Sequence, residues 1–334
     1  MDCYIPGVST LNGNHKIWKP PLVHEIFDTR FSQVQNNFPM CSGLVSEARF
    51  DSKEPGFNLE SFMEEKWSSK IHEIRVQRLS LLLYLHGLFR RIGKLYFQKD
   101  SNPVSAYTFF LQKLIQKPNT DSIVLLNLNY DTFLDKAIEN ITSQQLDNVD
   151  NYLNINNKIN YFKLHGCVNW GRKYLNGPSP NLPFSKVIQL ISHTDWDSNL
   201  DDYIRVIEGN FGGEIKSHNK VSELLIPAMV LPLPSKYEFL MPKIHKDRLS
   251  CLSKDSEKIK LIVCGYGGKD KDANDLLQEI KSRIKEWYLV DFSDGKKIDG
   301  VGAAKSNLIP ILGEPTREYS NGFNKISECI NDLS

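Results

Sequence analysis

No uninterrupted apolar run in this chain approaches the ~20 residues that a helix needs to cross a bilayer. The amino terminus, Met1-Asp-Cys-Tyr-Ile-Pro, has no basic stretch followed by an apolar segment of the kind that directs secretion. The expectation is therefore a cytoplasmic protein. Six cysteines, Cys3, Cys41, Cys167, Cys251, Cys264 and Cys329, include no Cys-x-x-Cys pair, which argues against both a zinc ribbon and a disulfide framework. Neither sign of charge is in excess: 41 Lys and Arg against 40 Asp and Glu leave +1, so no global field points to nucleic acid or to a membrane. The carboxylate-rich run Asp195-Trp-Asp-Ser-Asn-Leu-Asp-Asp lacks the glycine and the terminal glutamate of a calcium loop and reads as a solvated loop. No metal is expected.

What is present suffices for a substantial core, with 40% hydrophobic and 24% charged residues over 334 positions. A helix is expected after Pro21, where Leu22, Ile26 and Phe27 share a face. From Glu73 to Lys99 the spacing predicts a long helix, with Leu81, Leu85, Leu88, Ile92 and Leu95 on one side and Arg90, Arg91 and Lys94 on another. Such a charged face is ordinarily solvated, though it can also meet an acidic ligand or partner. A second helix runs from about Pro103 to Lys117 and stops at Pro118. Together they form a helical module over about 60–118. An irregular insertion is expected over about 171–222, marked by Leu175-Asn-Gly-Pro-Ser-Pro and Gly209-Asn-Phe-Gly-Gly, and Val221 to Pro232 reads as a strand punctuated by proline.

Three places read as a buried strand ending in a polar turn. Ser122 to Leu126 is a short Ile/Val/Leu run, and the helical spacing of Phe133, Ala137 and Ile138 after it puts Asn129-Tyr-Asp131 at a strand-to-helix turn. Tyr161-Phe-Lys-Leu leads into His165-Gly166. Lys258 to Cys264 feeds Gly265-Tyr266-Gly267-Gly268-Lys-Asp270, followed by a helix over Ala273, Leu276, Leu277, Ile280 and Ile284 and a strand from Trp287 to Asp291. The fold class expected is α/β: one domain over 1–334, a doubly wound Rossmann-like parallel sheet with the helical module inserted. In such a sheet ligands bind at the carboxyl ends of the strands. Glycines at Gly265 and Gly267 let backbone amides approach a phosphate or ribose, although Asp270 stands where a dinucleotide fingerprint has its third glycine. Each residue also has a plainer reading: Asn and Asp at a helix start are commonly caps, a His after a strand is commonly structural, and Asp291 ends a strand as a surface turn residue would.

Asn129-Tyr-Asp131-Thr followed by Lys163-Leu-His165-Gly166-Cys-Val-Asn-Trp170 resembles the paired signature of the sirtuin-like family, an Asn-x-Asp turn and a Leu-His-Gly turn. Gly265-Tyr266-Gly267-Gly268-x-Asp270 resembles that family's third segment, and the three occur in family order across roughly Ile5 to Asp291. The wording is most similar to the zinc-free prokaryotic branch, whose studied members are NAD-degrading enzymes of antiphage defence. The resemblance implies NAD as substrate, no zinc, and cleavage of the nicotinamide–ribose bond to give nicotinamide and ADP-ribose, through an oxocarbenium-like transition state. It implies that Asn129 orients the ribose hydroxyls or the attacking water, that Asp131 holds the nicotinamide ribose, and that His165 is the general base. Gly265, Tyr266, Gly267, Asp270 and Asp291 would serve the adenosine side. An enzyme that depletes NAD would be restrained by self-assembly or by a partner protein of the defence system.

Ile5-Pro6-Gly7 resembles the family's Ile-Pro segment, but the strand and Gly-Ala-Gly-x-Ser loop that precede it there are absent. The loop either belongs upstream of this chain, which is the expectation, or has been lost, at the expense of amide donors to the diphosphate. The other readings are a non-catalytic NAD or ADP-ribose sensor and an NAD-dependent protein deacylase.

Overall fold

The computed structural model describes residues 26–27, 29–52, 57, 59–68, 71–98, 106–118, 122–175, 191, 200–207, 225–230, 239–290, 303–320 and 325–333. Helices α1 (Ser32–Gln35), α2 (Ser42–Asp51), α3 (Leu59–Ser68), α4 (His72–Gln98) and α5 (Ala106–Gln116) precede the strands. Both helices of the expected module are present. The segment Ile5-Pro6-Gly7 and the residue Asp291 lie outside the described residues, as does the helix expected after Pro21 apart from Ile26 and Phe27, which form a turn. The acidic run is described only at its end, Leu200-Asp-Asp202, which is strand and not the solvated loop expected.

Strands β1 (Ile123–Asn127) and β2 (Ile159–Lys163) are parallel, with Ile123 opposite Ile159 and Asn127 opposite Lys163. Helix α6 (Phe133–Thr142) joins them, burying Phe133, Ala137 and Ile138 as its spacing predicts. Strands β6 (Ile259–Cys264), β7 (Ile284–Val290) and β8 (Arg317–Tyr319) form a second parallel set. Helix α8 (Lys271–Ile280) crosses from β6 to β7, and α9 (Ala303–Leu312) lies between β7 and β8 in the chain. The expected helix over Ala273 to Ile284 thus ends earlier, at Ile280; Ile284 already opens β7. Helices α7 (Lys243–Ser253) and α10 (Ile326–Asn331) precede β6 and follow β8 in the chain.

The single doubly wound parallel sheet is not what forms. A third sheet is antiparallel, with β3 (Gly166–Tyr174) between β4 (Leu200–Val206) and β5 (Leu225–Met229). The chain passes from β2 to β3 through Leu164 and His165 alone. Two residues cannot supply the crossover of a dozen or more that a parallel neighbour requires, so the chain must leave the parallel sheet there. Gly166 serves this turn at φ +78°, where a Cβ would fall 2.1 Å from the Ala228 carbonyl oxygen. The insertion expected as irregular over 171–222 accordingly contains regular structure: β3 runs to Tyr174 and β4 spans Leu200–Val206. The proline-punctuated strand is β5, in which Pro227 stands opposite Gly171.

Every residue of β2 is buried. Tyr152, Phe162, Trp170 and His245 meet around this strand, with ring centroids 5.4–5.9 Å apart where they touch. The middle of α4 is buried on most sides, through Leu79, Leu81, Leu82, Leu83, Tyr84, Leu85 and Leu88. Arg91 is exposed as a solvated face predicts, but Arg90 is half-buried, which corrects the expectation that the basic residues of this helix share one solvated side. Among the described residues no helix is long and apolar enough to cross a membrane.

His86 fastens α4 to β3: its Nε2 donates to the Val168 carbonyl oxygen at 2.8 Å, with the side chain buried. Burial, and then the neighbouring Arg90 charge, push this imidazole down to about 4. The folded protein keeps His86 neutral while the unfolded chain takes up a proton below pH ~6.5, so stability is complete above that pH and falls as pH drops toward 4. The loss from this residue is on the order of 3 kcal/mol. The urea midpoint should therefore fall between pH 7 and pH 4, and His86→Gln, which retains a donor toward Val168, should make that fall shallower; an equally steep fall in the variant would rule the assignment out.

Candidate active site

The polar turns after β1 and β2 are zipped together by backbone. Leu164 N donates to Asn127 O at 2.9 Å and Val168 N to Tyr130 O at 3.0 Å. Between them His165 Nδ1 lies 3.1 Å from Leu128 O; a carbonyl only accepts, so Nδ1 carries the proton and Nε2 is the free nitrogen of the neutral ring. Asn127 shapes the first turn from below, its Oδ1 accepting from Asn129 N at 2.9 Å and its Nδ2 donating to Tyr161 Oη at 2.8 Å. Asn129 itself is exposed, and its carboxamide is not committed to any hydrogen bond among the described residues. Asp131 is committed: its Oδ1 accepts from Phe133 N at 3.0 Å, an Asx turn that leads into α6. Burial raises the Asp131 carboxyl above its ordinary range, against the pull of the Lys163 ammonium.

Beneath these turns lies a buried ion pair. Lys163, 0% exposed, donates from Nζ to Asp135 Oδ2 at 2.9 Å and also to the Asp131 carbonyl oxygen. Asp135, 3% exposed, further accepts from Tyr161 Oη at 3.0 Å and from Tyr152 Oη at 2.9 Å. Burial opposes the Lys163 charge, but Asp135 and its neighbours outweigh it and hold the ammonium well above its usual range. Burial and then the Asp135 charge likewise raise both tyrosine hydroxyls, so they remain donors. Cys167 sits beside the pair with its thiol pushed by burial up to about 12, too high for a nucleophile.

The third turn closes on the same imidazole. Gly265 and Gly268 take φ of +60° and +69°, and a Cβ on Gly268 would come within 2.7 Å of Asn307 Cβ. Asn307 Nδ2 donates to Gly267 O at 2.8 Å and Asn274 Nδ2 to Gly268 O at 2.9 Å. Nothing stands within 4 Å of a Cβ on Gly267, so its small size is not required by packing. Tyr266 Oη lies 2.8 Å from Asn274 Oδ1 and 2.9 Å from Asp270 O, so this hydroxyl is held within the turn. Asp270 caps α8, its Oδ1 accepting from Ala273 N at 2.9 Å, and its Oδ2 stands 3.0 Å from His165 Nε2. The two atoms approach without forming a hydrogen bond, so Asp270 places a carboxylate beside the nitrogen that would take up a proton. Two residues further on, Asp272 has an Oδ2 shielded from solvent with no hydrogen-bond partner among the described residues. Its carboxyl is raised by burial and by the charges of Asp270 and Asp275, while His165 opposes the rise.

The structure therefore brings Asn129, Asp131 and His165 together in two joined turns, and adds Asp270 from the third; Gly265, Tyr266 and Gly267 flank Asp270. Asn127, Asp135, Tyr161, Lys163 and Asp272 were not singled out by the sequence reading. Two of them had a signal: a lysine in an otherwise apolar buried strand and an aspartate on the apolar side of α6 each need an opposite charge. Among the described residues no group of three or more His, Cys, Asp and Glu gathers as metal ligands do.

Polar turns converging at the carboxyl ends of parallel strands define an α/β ligand-binding domain. The family model described as a SIR2-like domain matches residues 123–309, more than half of the chain. The protein belongs to the SIR2-like domain family, whose members are NAD-binding α/β domains. The match takes in all three turns; it does not reach Ile5-Pro6-Gly7 or the helices before β1. No curated protein matches the chain.

Removing one partner of the buried pair leaves the other uncompensated, at a cost of ~3–5 kcal/mol. Lys163→Met and Asp135→Asn should each lower the unfolding free energy by roughly that amount or somewhat less, and the double variant should lose clearly less than the sum. Additive losses in chemical denaturation would show that the two do not act as a pair.

Proposed function

We propose that this protein is an NAD glycohydrolase that releases nicotinamide and ADP-ribose. The observation that carries the reading is the imidazole of His165, anchored through Nδ1 on Leu128 O with Nε2 facing Asp270, beside the uncommitted carboxamide of Asn129. The chemistry is a substitution at the ribose carbon bonded to nicotinamide. As that bond breaks, its electron pair passes to the pyridinium ring, which leaves as neutral nicotinamide. A water molecule forms the new C–O bond on the opposite side and gives its proton to His165 Nε2, whose positive charge Asp270 stabilises. Asn129 orients the water or the ribose hydroxyls, and Asp131, through its Asx turn into α6, holds the turn that presents Asn129. Resemblance to the zinc-free prokaryotic branch supports a role as an antiphage effector, working in the cytoplasm without zinc and restrained by self-assembly or by a partner protein.

A second reading, an NAD or ADP-ribose sensor, is favoured by one feature: Asp131 and the Tyr266 hydroxyl, both expected to meet the ligand, spend hydrogen bonds inside the protein.

Nicotinamide release from NAD by the full chain, measured over a range of protein concentrations, decides between them. His165→Ala should abolish release, and Asn129→Ala should reduce it by roughly a hundredfold or more, as loss of positioning and base groups does. Asp270→Asn, which keeps a capping side chain on α8, should reduce it by about tenfold or more without unfolding the protein. Unchanged turnover in both His165→Ala and Asn129→Ala would defeat the site assignment. Thermal stabilisation by NAD without release would favour the sensor.

A further inference from the structure

Helix α4 places a cation against the site, and no described residue supplies its counter-charge. Arg90 is half-buried; its Nη1 is shielded from solvent, and among the described residues it has neither a hydrogen-bond acceptor nor an ion-pair partner. Burial already works against this guanidinium, yet arginine stays charged in a protein. Arg90 lies eight residues before the end of α4, too far in for the terminal carbonyls to compensate it. A half-buried cation of this kind is costly unless something supplies an anion.

Its position says which anion. Arg90 shares one face of α4 with His86 and Gly93, four residues before and three after, which is the helical repeat. His86 binds the Val168 carbonyl, and Val168 N in turn binds Tyr130 O. A Cβ on Gly93 would meet Thr132 Oγ1 at 3.5 Å. Phe89, next to Arg90, packs on Tyr130 with centroids 5.8 Å apart, and the Tyr130 ring is 6.3 Å from that of His165. The face carrying Arg90 is thus the one pressed against the Asn129–Thr132 turn. The rest of the site is acidic on its described side, through Asp270 and Asp272, and the Lys163 ammonium is spent on Asp135. Lys269 and Lys271 beside the glycine turn are exposed and act through solvent. A ligand carrying two phosphate charges needs a cation shielded enough to be strong, and a guanidinium offers paired donors to phosphate oxygens.

We propose that Arg90 is a phosphate-binding residue of the site, taking the diphosphate of a dinucleotide or of ADP-ribose. The identity of that ligand rests on the NAD reading above; the anion site itself does not. Calorimetric titration of the full chain with ADP-ribose, inorganic pyrophosphate and adenosine, for wild type, Arg90→Gln and Arg90→Lys, tests both. The expected result is ADP-ribose affinity at least thirtyfold weaker in Arg90→Gln and several-fold weaker in Arg90→Lys, with adenosine unaffected. The melting temperature of ligand-free Arg90→Gln should equal or exceed that of wild type, because an uncompensated charge has been removed. Unchanged ADP-ribose affinity in Arg90→Gln overturns the proposal, and so does a lowered melting temperature with adenosine weakened in parallel, which marks a structural role. If wild type binds no ADP-ribose, the NAD reading fails: pyrophosphate binding that disappears in Arg90→Gln then still establishes the anion site, and no pyrophosphate binding overturns it.

Discussion

A lysine ammonium and an aspartate carboxylate, both removed from water, sit under the turns that carry the candidate chemistry. Lys163 ends β2 and Asp135 opens α6, so their attraction ties the second strand of the sheet to the helix that follows the first. Because Lys163 also binds the Asp131 carbonyl, and Asp135 collects the hydroxyls of Tyr152 and Tyr161, each partner has hydrogen bonds beyond the pair itself. Through Tyr161 the network reaches Asn127, and through Asn127 the backbone of Asn129. A buried ion pair gives little net stability over an apolar equivalent. Its effect here is geometric: it holds the Asn129–Asp131 turn on rigid elements, where an exposed carboxamide can be presented without being free to wander.

His165 is one of the two residues that join parallel strand β2 to antiparallel strand β3. That short passage fixes the ring from behind, through Leu128 O, and turns its other nitrogen toward Asp270 at the start of α8. The three turns come from segments far apart in sequence, and a side chain at their meeting point is set by all three. Asp270 is drawn both to the amides of α8 and to the imidazole, so the cap of one helix and the charge beside the base are one group.

Much of this was legible in residues alone. Periodicity placed α4, α6 and α8 and the strands β1, β2, β6 and β7, because a buried strand of Ile, Val and Leu and a helix with a 3.6-residue stripe differ in repeat. Asn129, Asp131 and His165 were identified by type and order, and the structure puts them in joined turns. Register and sheet membership were not legible: nothing in Gly166–Tyr174 distinguishes a strand of an antiparallel sheet from an irregular loop until β4 and β5 are seen beside it. Nor was the burial of Arg90, since a charge on a helix looks solvated until its neighbours are known.

The sequence by itself determined the class of the protein, through local patterns whose physics is local: apolar runs, helical spacing, glycines at φ above zero and the three polar turns that mark it as SIR2-like. Only the tertiary structure decided which charges meet. Lys163 with Asp135, His165 with Asp270, and Arg90 without a partner among the described residues are facts about distances between segments, and electrostatic energy in a protein interior depends on those distances and on the exclusion of water, neither of which a linear order of residues contains.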